Sequence, residues 1–509
     1  MIYVLLMGAY LRFTGLFWGD YQYLHPDERF LVWVGSDISP VHSLAEYFNT
    51  AQSTLNPNNV GHGFYVYGTL PMFITRYLVQ WIYGHSGFVE MTNVGRALSA
   101  LVDLLTVILV FLVAERLYDK RVALLSAAFS AVAVLQIQQS HFFTMDTFIN
   151  FFSFLAFYFA VRVMLAPRGE QQAANGPPGG LAAAGIDSQP PAQSGGWISS
   201  FAHDPIFMPS LGFGIAFGLA MSSKLNAFPM AVCLPAAVLI RTFTFSTKER
   251  QDRLLQALPH LILAGAVSML LFRIFQPYAF TGPGFFGLKL NPQWIDNLRT
   301  LESQVGPNVD FPPAMQWARR PLWFSGKNLV LWGLGLPLGI LAWAGFLWAG
   351  WRMLKGEWKQ HLLLWGWTGA YFVWQSLASN PTMRYQLPIY PTLVIFAGWA
   401  VIALWDRRPK RISEIRFSEI AGGVTQNQPI RFAGWLAILV GGLVLLLTTA
   451  YAIGFANIYN RPITRVAASR WIYSIFPGRS TCKSRPARMP PASRCPSPTK
   501  VRSPLKRLI

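Results

Sequence analysis

Apolar residues in this chain come in long runs instead of alternating with polar ones. Runs near the 20 residues that a hydrocarbon core requires lie at about 1–17, 93–117, 122–140, 146–165, 207–222, 225–241, 255–276, 328–350, 362–378, 385–404 and 432–456. They predict an all-α integral membrane protein, a polytopic bundle of about 11 transmembrane helices, because a backbone in lipid must satisfy its own hydrogen bonds. The first run lacks a basic leader and a small-residue cleavage site, so it reads as a retained helix. Residues 64–83 (FYVYGTLPMFITRYLVQWIY) are different, since Pro71 and Arg76 interrupt a stretch of marginal length. They read as a juxtamembrane helix lying on the outer face.

Between the runs the chain changes character three times. Residues 166–205 are rich in Gly, Pro, Ala, Gln and Ser and predict a flexible cytoplasmic linker. Residues 277–327 form a second large outer loop in which Trp294, Leu298 and Leu301 share one face of a short helix. From Phe476 onward the chain carries nine Lys and Arg and no acid, with no hydrophobic period, and a disordered basic tail is expected over 476–509. Residues 1–475 are thus expected to form the transmembrane domain, with 18–92 as its first outer loop.

Charge fixes the orientation. The chain holds 42 Lys and Arg against 22 Asp and Glu, a formal charge of +20, yet only 13% of its 509 residues are charged while 53% are hydrophobic. The basic residues sit in short loops at Lys120-Arg121, Arg241 to Arg253, Arg352 to Lys359 and Arg407 to Arg416, which is inward-facing punctuation and not a nucleic-acid surface. With eleven spans these loops all fall on the cytoplasmic side. The loop at 18–63, with Asp20, Asp27, Glu28, Asp37 and Glu46, then falls outside. Cys233, Cys482 and Cys495 have no metal or redox spacing.

The candidate chemistry gathers at the outer ends of helices. Asp27 and Glu28, in His25-Pro26-Asp27-Glu28-Arg29, suit either a general base or an ordinary helix start, where Pro and acids favour the positive dipole end. Asp146 follows Ser140-His141-Phe142-Phe143-Thr144-Met145 and is either a capping acid or a second outer-face carboxylate. Lys224 and Arg384 are cations on the side that positive-inside statistics disfavour, so each either snorkels to headgroups or meets an anionic partner such as a lipid phosphate. Arg96 and Asp103, seven apart on one helix, suit a role in holding the bundle together. His62, in Gly61-His62-Gly63, is a polar loop residue near this face.

HPDE at 25–28, YGTLPMF at 67–73, SHFFTMD at 140–146, SSKLNA at 222–227 and MRYQLPIYP at 383–391 together resemble the GT-C glycosyltransferases, specifically the protein O-mannosyltransferase and aminoarabinose transferase superfamily (glycosyltransferase family 39). The resemblance runs over about residues 5–475. It implies a plasma-membrane enzyme that moves a sugar from a polyprenyl-phosphate carrier, with inversion, to a protein, lipid or glycan acceptor on the extracytoplasmic face. By position it implies Asp27, Glu28 and Asp146 as catalytic acids, and Lys224, Arg384 and Arg29 as contacts to the donor phosphate. His25, His62 and His141 fall on the acceptor side. Some relatives carry an acid before the juxtamembrane helix where this chain has Gly63-Phe64. Relatives also continue as ordered sequence beyond Tyr473, so the tail here reads as a truncated or out-of-frame end. A divalent cation is compatible with the family, but no dense ligand cluster calls for one. A transporter or lipid-linked sugar flippase is the rival class, which should display internal repeats and broken midplane helices; the sequence has no evident repeat.

Overall fold

The computed structural model describes residues 1–167, 201–306, 309–310, 312–317, 320–406 and 431–475. The expected tail at 476–509 and nearly all of the expected linker at 166–205 lie outside these residues. Helices occupy every one of the eleven apolar runs: α1 (Ile2–Phe13), then, after the shorter helices α2 (Pro26–Asp37) and α3 (Leu70–Tyr83), α4 (Phe88–Leu117), the pair α5 (Lys120–Ala131) and α6 (Val134–Ser140), α7 (Met145–Met164), α8 (Phe207–Ser223), α9 (Cys233–Thr242), α10 (Arg250–Phe275), and, beyond the loop helix α11 (Pro292–Val305), α12 (Leu336–Arg352), α13 (Trp358–Ser376), α14 (Tyr390–Trp405) and α15 (Arg431–Ala456). The protein is an integral multi-pass membrane bundle.

By length and apolarity, seven of the helices among the described residues can cross a membrane, or eight when α5 and α6 count as one bent span. The other three runs fall short for visible reasons. Helices α8 and α12 have 17 residues each, and α13 is diluted by Lys359, Gln360, His361 and Gln375. Two of the expected spans also begin as 3₁₀ helix, at Leu225–Val232 ahead of α9 and at Met383–Ile389 ahead of α14, where Pro229 and Pro388 deny the α-helical ladder a donor. The run at 328–350 is broken as well, because a π turn at Leu329–Gly333 runs into Gly335, held at φ +84°, before α12 starts.

The 56° bend between α5 and α6 has a specific cause. Breaking a helix leaves carbonyls without partners, and here the Arg12 guanidinium supplies them, donating to Ala131 O at 2.8 Å and Ser130 O at 3.2 Å. Arg12 is itself fully buried and pairs with Asp103 at 2.7 Å. One residue of α1 thus caps the kink and neutralises the acid on α4. Seven residues nearer the start of α4, about 10 Å along the axis, Arg96 makes a second buried pair, donating to both Glu28 oxygens at 2.7 and 2.8 Å. Arg96 and Asp103 do hold the bundle together, each through a partner from another element.

The juxtamembrane helix α3 has 14 residues and is held in place at its first turn. Thr69 N donates to the Gln276 side chain at 2.7 Å, and the Thr69 hydroxyl donates to Phe275 O at the end of α10. Gly68 N donates to Ser223 O at 3.2 Å, and a Cβ on Gly68 would collide with the Ser222 carbonyl. Only glycine lets the strand before α3 approach the end of α8 so closely. Trp81, Ile82 and Tyr83 at its other end are exposed. The short helix expected in the second outer loop is α11, tied to the first loop by Asn297 donating to Gly63 O at 3.1 Å. Residues from Pro462 form a separate unit containing α16 (Thr464–Ile475).

Candidate active site

Four helix ends meet at one face of the bundle and bring together two acids and two cations. Asp27 stands in the first turn of α2, Asp146 in the first turn of α7, Lys224 directly after α8, and Arg384 in the 3₁₀ turn that leads into α14. The Arg384 guanidinium is ion-paired with Asp27 and lies 3.8 Å from Asp146 Oδ2. Lys224 Nζ donates to Asp146 Oδ1 at 2.7 Å. The charges therefore alternate along a chain, Asp27 to Arg384 to Asp146 to Lys224. Asp146 is the sheltered member at 5% side-chain exposure, while Asp27 retains 20% and Arg384 24%. The Tyr385 ring serves both cations, with Lys224 Nζ 4.6 Å and the Arg384 guanidinium 5.3 Å from its centroid. The Tyr67 hydroxyl lies close to the Asp27 carboxylate.

The Asp27 carboxyl feels opposing effects. Burial raises its pKa, but the charge of Arg384 and the hydrogen bond from it, with His25 and Lys224 adding positive potential, hold the group below its ordinary value. It is an ionised carboxylate at neutral pH. Tyr67 moves the other way, because burial and the neighbouring Asp27 charge raise its pKa and keep it a hydrogen-bond donor.

The adjacent acid has another use. A helix turns 100° per residue, so Glu28 points away from Asp27 and into the bundle, where both oxygens are taken by Arg96 and one also accepts from Phe143 N at 2.9 Å. Glu28 is fully buried, and this geometry makes it the anchor of α2 against α4 and the α6–α7 turn. His25 caps α2, its Nδ1 accepting from Glu28 N at 3.4 Å, and burial lowers its pKa. His141 is internal: its ring nitrogens lie 2.7 Å from Ile137 O and 2.9 Å from Thr14 O, and the ring stacks on Tyr459 at 3.7 Å. With both nitrogens beside backbone carbonyls, His141 ties the end of α6 to the end of α1. His62 Nε2 is 2.9 Å from Asp37, with its ring edge-on to the half-exposed Trp33. Arg29 is exposed on α2, outside the ion-pair chain. Among the described residues, no three His, Cys, Asp or Glu side chains are gathered to share a metal ion.

An apolar cleft of about 470 Å³ runs along the length of α9 and α13, from Pro229 and Trp374 at one end to Phe243 and Trp358 at the other. Tyr371 lies within electrostatic reach of Asp146, and Lys224 is the residue from which the Leu225–Val232 turn departs.

The fold is a helical membrane bundle with carboxylates and cations gathered at helix ends. Residues 75–184 match the family model described as dolichyl-phosphate-mannose-protein mannosyltransferase. The chain has the fold of the Archaeoglobus fulgidus oligosaccharyltransferase in complex with zinc and sulfate, at 16% identity over 89% of this chain and 53% of that one, with a TM-score of 0.50. Also similar are the same organism's oligosaccharyltransferase AglB in complex with an inhibitory peptide and a dolichol-phosphate (16% identity, 91% and 56% covered, TM-score 0.48) and ArnT from Cupriavidus metallidurans bound to undecaprenyl phosphate (15% identity, 85% and 74% covered, TM-score 0.46). The chain spans about half the length of the archaeal enzyme. No curated protein matches it significantly.

Sequence reasoning found Asp27, Asp146, Lys224 and Arg384, which the fold brings together, but missed Tyr67 and Tyr385. Both lie inside the quoted motifs YGTLPMF and MRYQLPIYP, and an aromatic beside a motif charge was the available signal.

Proposed function

We propose that this protein is a membrane glycosyltransferase that moves a sugar from a polyprenyl-phosphate carrier to a hydroxyl or similar acceptor on the extracytoplasmic face, with inversion at the anomeric carbon. The observation that carries the reading is the alternating chain Asp27, Arg384, Asp146 and Lys224, in a bundle that also holds an apolar cleft between α9 and α13. A polyprenyl tail suits the cleft, and the two cations suit its phosphate. Asp27 takes the proton from the acceptor as it attacks the anomeric carbon; the bond from that carbon to the phosphate oxygen breaks, and Lys224 and Arg384 stabilise the departing phosphate. Attack opposite the leaving group inverts the centre. The direct test is incubation of purified protein with a panel of polyprenyl-phosphate sugars, scoring release of carrier phosphate and the anomeric configuration of the product. Movement of an intact lipid-linked sugar across vesicles without cleavage would favour a flippase.

Two expectations belong to this reading. Arg384→Lys removes the planar fork that holds two phosphate oxygens at once, so kcat/KM for the donor should fall roughly tenfold or more while KM for the acceptor stays near normal; Lys224→Ala should act the same way. Separate variation of donor and acceptor decides it, and a loss confined to the acceptor reverses the assignment. Orientation is tested in a background lacking Cys482 and Cys495. Leu44→Cys and Glu302→Cys, both exposed, should react with an impermeant reagent outside intact cells, whereas Lys248→Cys should react only after lysis. Protection of residue 44 with labelling of residue 302 would mean that the 64–83 stretch crosses the membrane.

A further inference from the structure

The two acids of the charge chain are held very differently. Asp146 opens α7, which is packed on both sides by α4 and α8, and it is bound by Lys224 at 2.7 Å with Arg384 at 3.8 Å. Asp27 is more exposed and has one direct cationic partner, Arg384. It has a further support that does not depend on that cation, the N-terminal end of α2, and the Tyr67 hydroxyl lies close by. If Arg384 turned to another anion, neither acid would be orphaned, since Asp146 would keep Lys224 and Asp27 would keep the N-terminal end of α2 with the Tyr67 hydroxyl close by.

Resting on the donor reading above, we propose that Asp146 is a positioning residue that holds Lys224 and Arg384 side by side, and that the carrier phosphate, on binding, replaces Asp27 as the partner of Arg384. Donor binding then frees the base. A carboxylate locked to a guanidinium is a poor proton acceptor, because protonation would cost the ion pair. The same carboxylate with only a phenol and a phosphate anion nearby is a better one. The chemistry is thereby ordered, with Asp27 at full basicity only when a leaving group is already seated. The charged and titratable groups around Asp27 are His25 and Glu28 on its own element, Tyr67 ahead of α3, Asp146 on α7, Lys224 after α8, and Arg384 and Tyr385 ahead of α14. Of these only Arg384 both touches Asp27 and adjoins Asp146.

The test measures equilibrium binding of undecaprenyl phosphate in detergent micelles to the full-length protein and to Asp27→Asn and Asp146→Asn. Asp27→Asn removes the competitor for Arg384, so binding should tighten on the order of tenfold; Asp146→Asn should weaken it by a similar factor, because the cations lose their fixed spacing. General charge neutralisation predicts that both variants tighten equally, and that result overturns the positioning role. Unchanged binding by Asp27→Asn overturns the exchange while leaving the donor reading intact. Absence of binding by the wild-type protein overturns the donor reading and this inference with it. Should Asp146→Asn not fold, the wild-type pH profile still decides: the acid limb of kcat, set by the donor-bound form, should lie about one unit above that of kcat/KM for the donor. Coincident limbs would mean that Arg384 never leaves Asp27.

Discussion

Replacement of Asp27 by asparagine should lower sugar transfer by about 10² or more, the range in which a positioned general base contributes. The substitution keeps the size of the side chain and its capacity to accept hydrogen bonds, and it removes only basicity and charge. Because Asp27 is part-exposed at a helix start, the fold should survive, and thermal unfolding in detergent should be close to that of the unmodified protein. The ion pair with Arg384 prevails over burial and keeps the carboxyl below the ordinary carboxylate range. The acid limb of kcat/KM should therefore fall below about pH 4, the value of a free aspartate. Near-normal turnover by folded Asp27→Asn protein removes the base assignment.

Glu28 should give the opposite pattern. Its carboxylate is fully buried and shared between Arg96 and Phe143 N, and removing one partner of such a pair leaves the other charge uncompensated, at a cost of about 3–5 kcal/mol. Glu28→Gln should unfold at markedly lower temperature and lose activity in proportion to the loss of folded protein. The double change Glu28→Met with Arg96→Met, which removes both charges, should recover much of that stability. Activity lost from a Glu28→Gln protein of normal stability would instead make Glu28 a participant in the reaction.

Asp27 and Glu28 also mark how far the sequence could be read. Adjacent carboxylates beside a proline announce a helix start and a candidate site, but which of the two faces the reaction depends on what α4 presents 68 residues later. Long apolar runs were legible because membrane spans are specified locally, by composition. The breaks in them were not, since the α5–α6 bend depends on a guanidinium from α1. Lys224 and Arg384 stood out as cations on an unfavoured side. That they are partners of Asp146 and Asp27 is a long-range fact, and so is the closeness of Tyr67 to Asp27. The stacking of His141 on Tyr459 is another long-range fact, set by the turn before α7 that sends the ring inward.

The cleft between α9 and α13 has a kinetic consequence. Several of its lining residues, Val232, Leu239, Phe243, Leu362 and Trp374, are exposed along the flank of the bundle, so the way in is sideways, from the surrounding lipid. On the proposed function, a polyprenyl-phosphate carrier that arrives this way is a solute of the bilayer and not of water. The encounter rate then follows its mole fraction among neighbouring lipids and its lateral diffusion in two dimensions, and dilution with inert lipid or detergent slows the reaction even when the bulk concentrations of enzyme and carrier are unchanged.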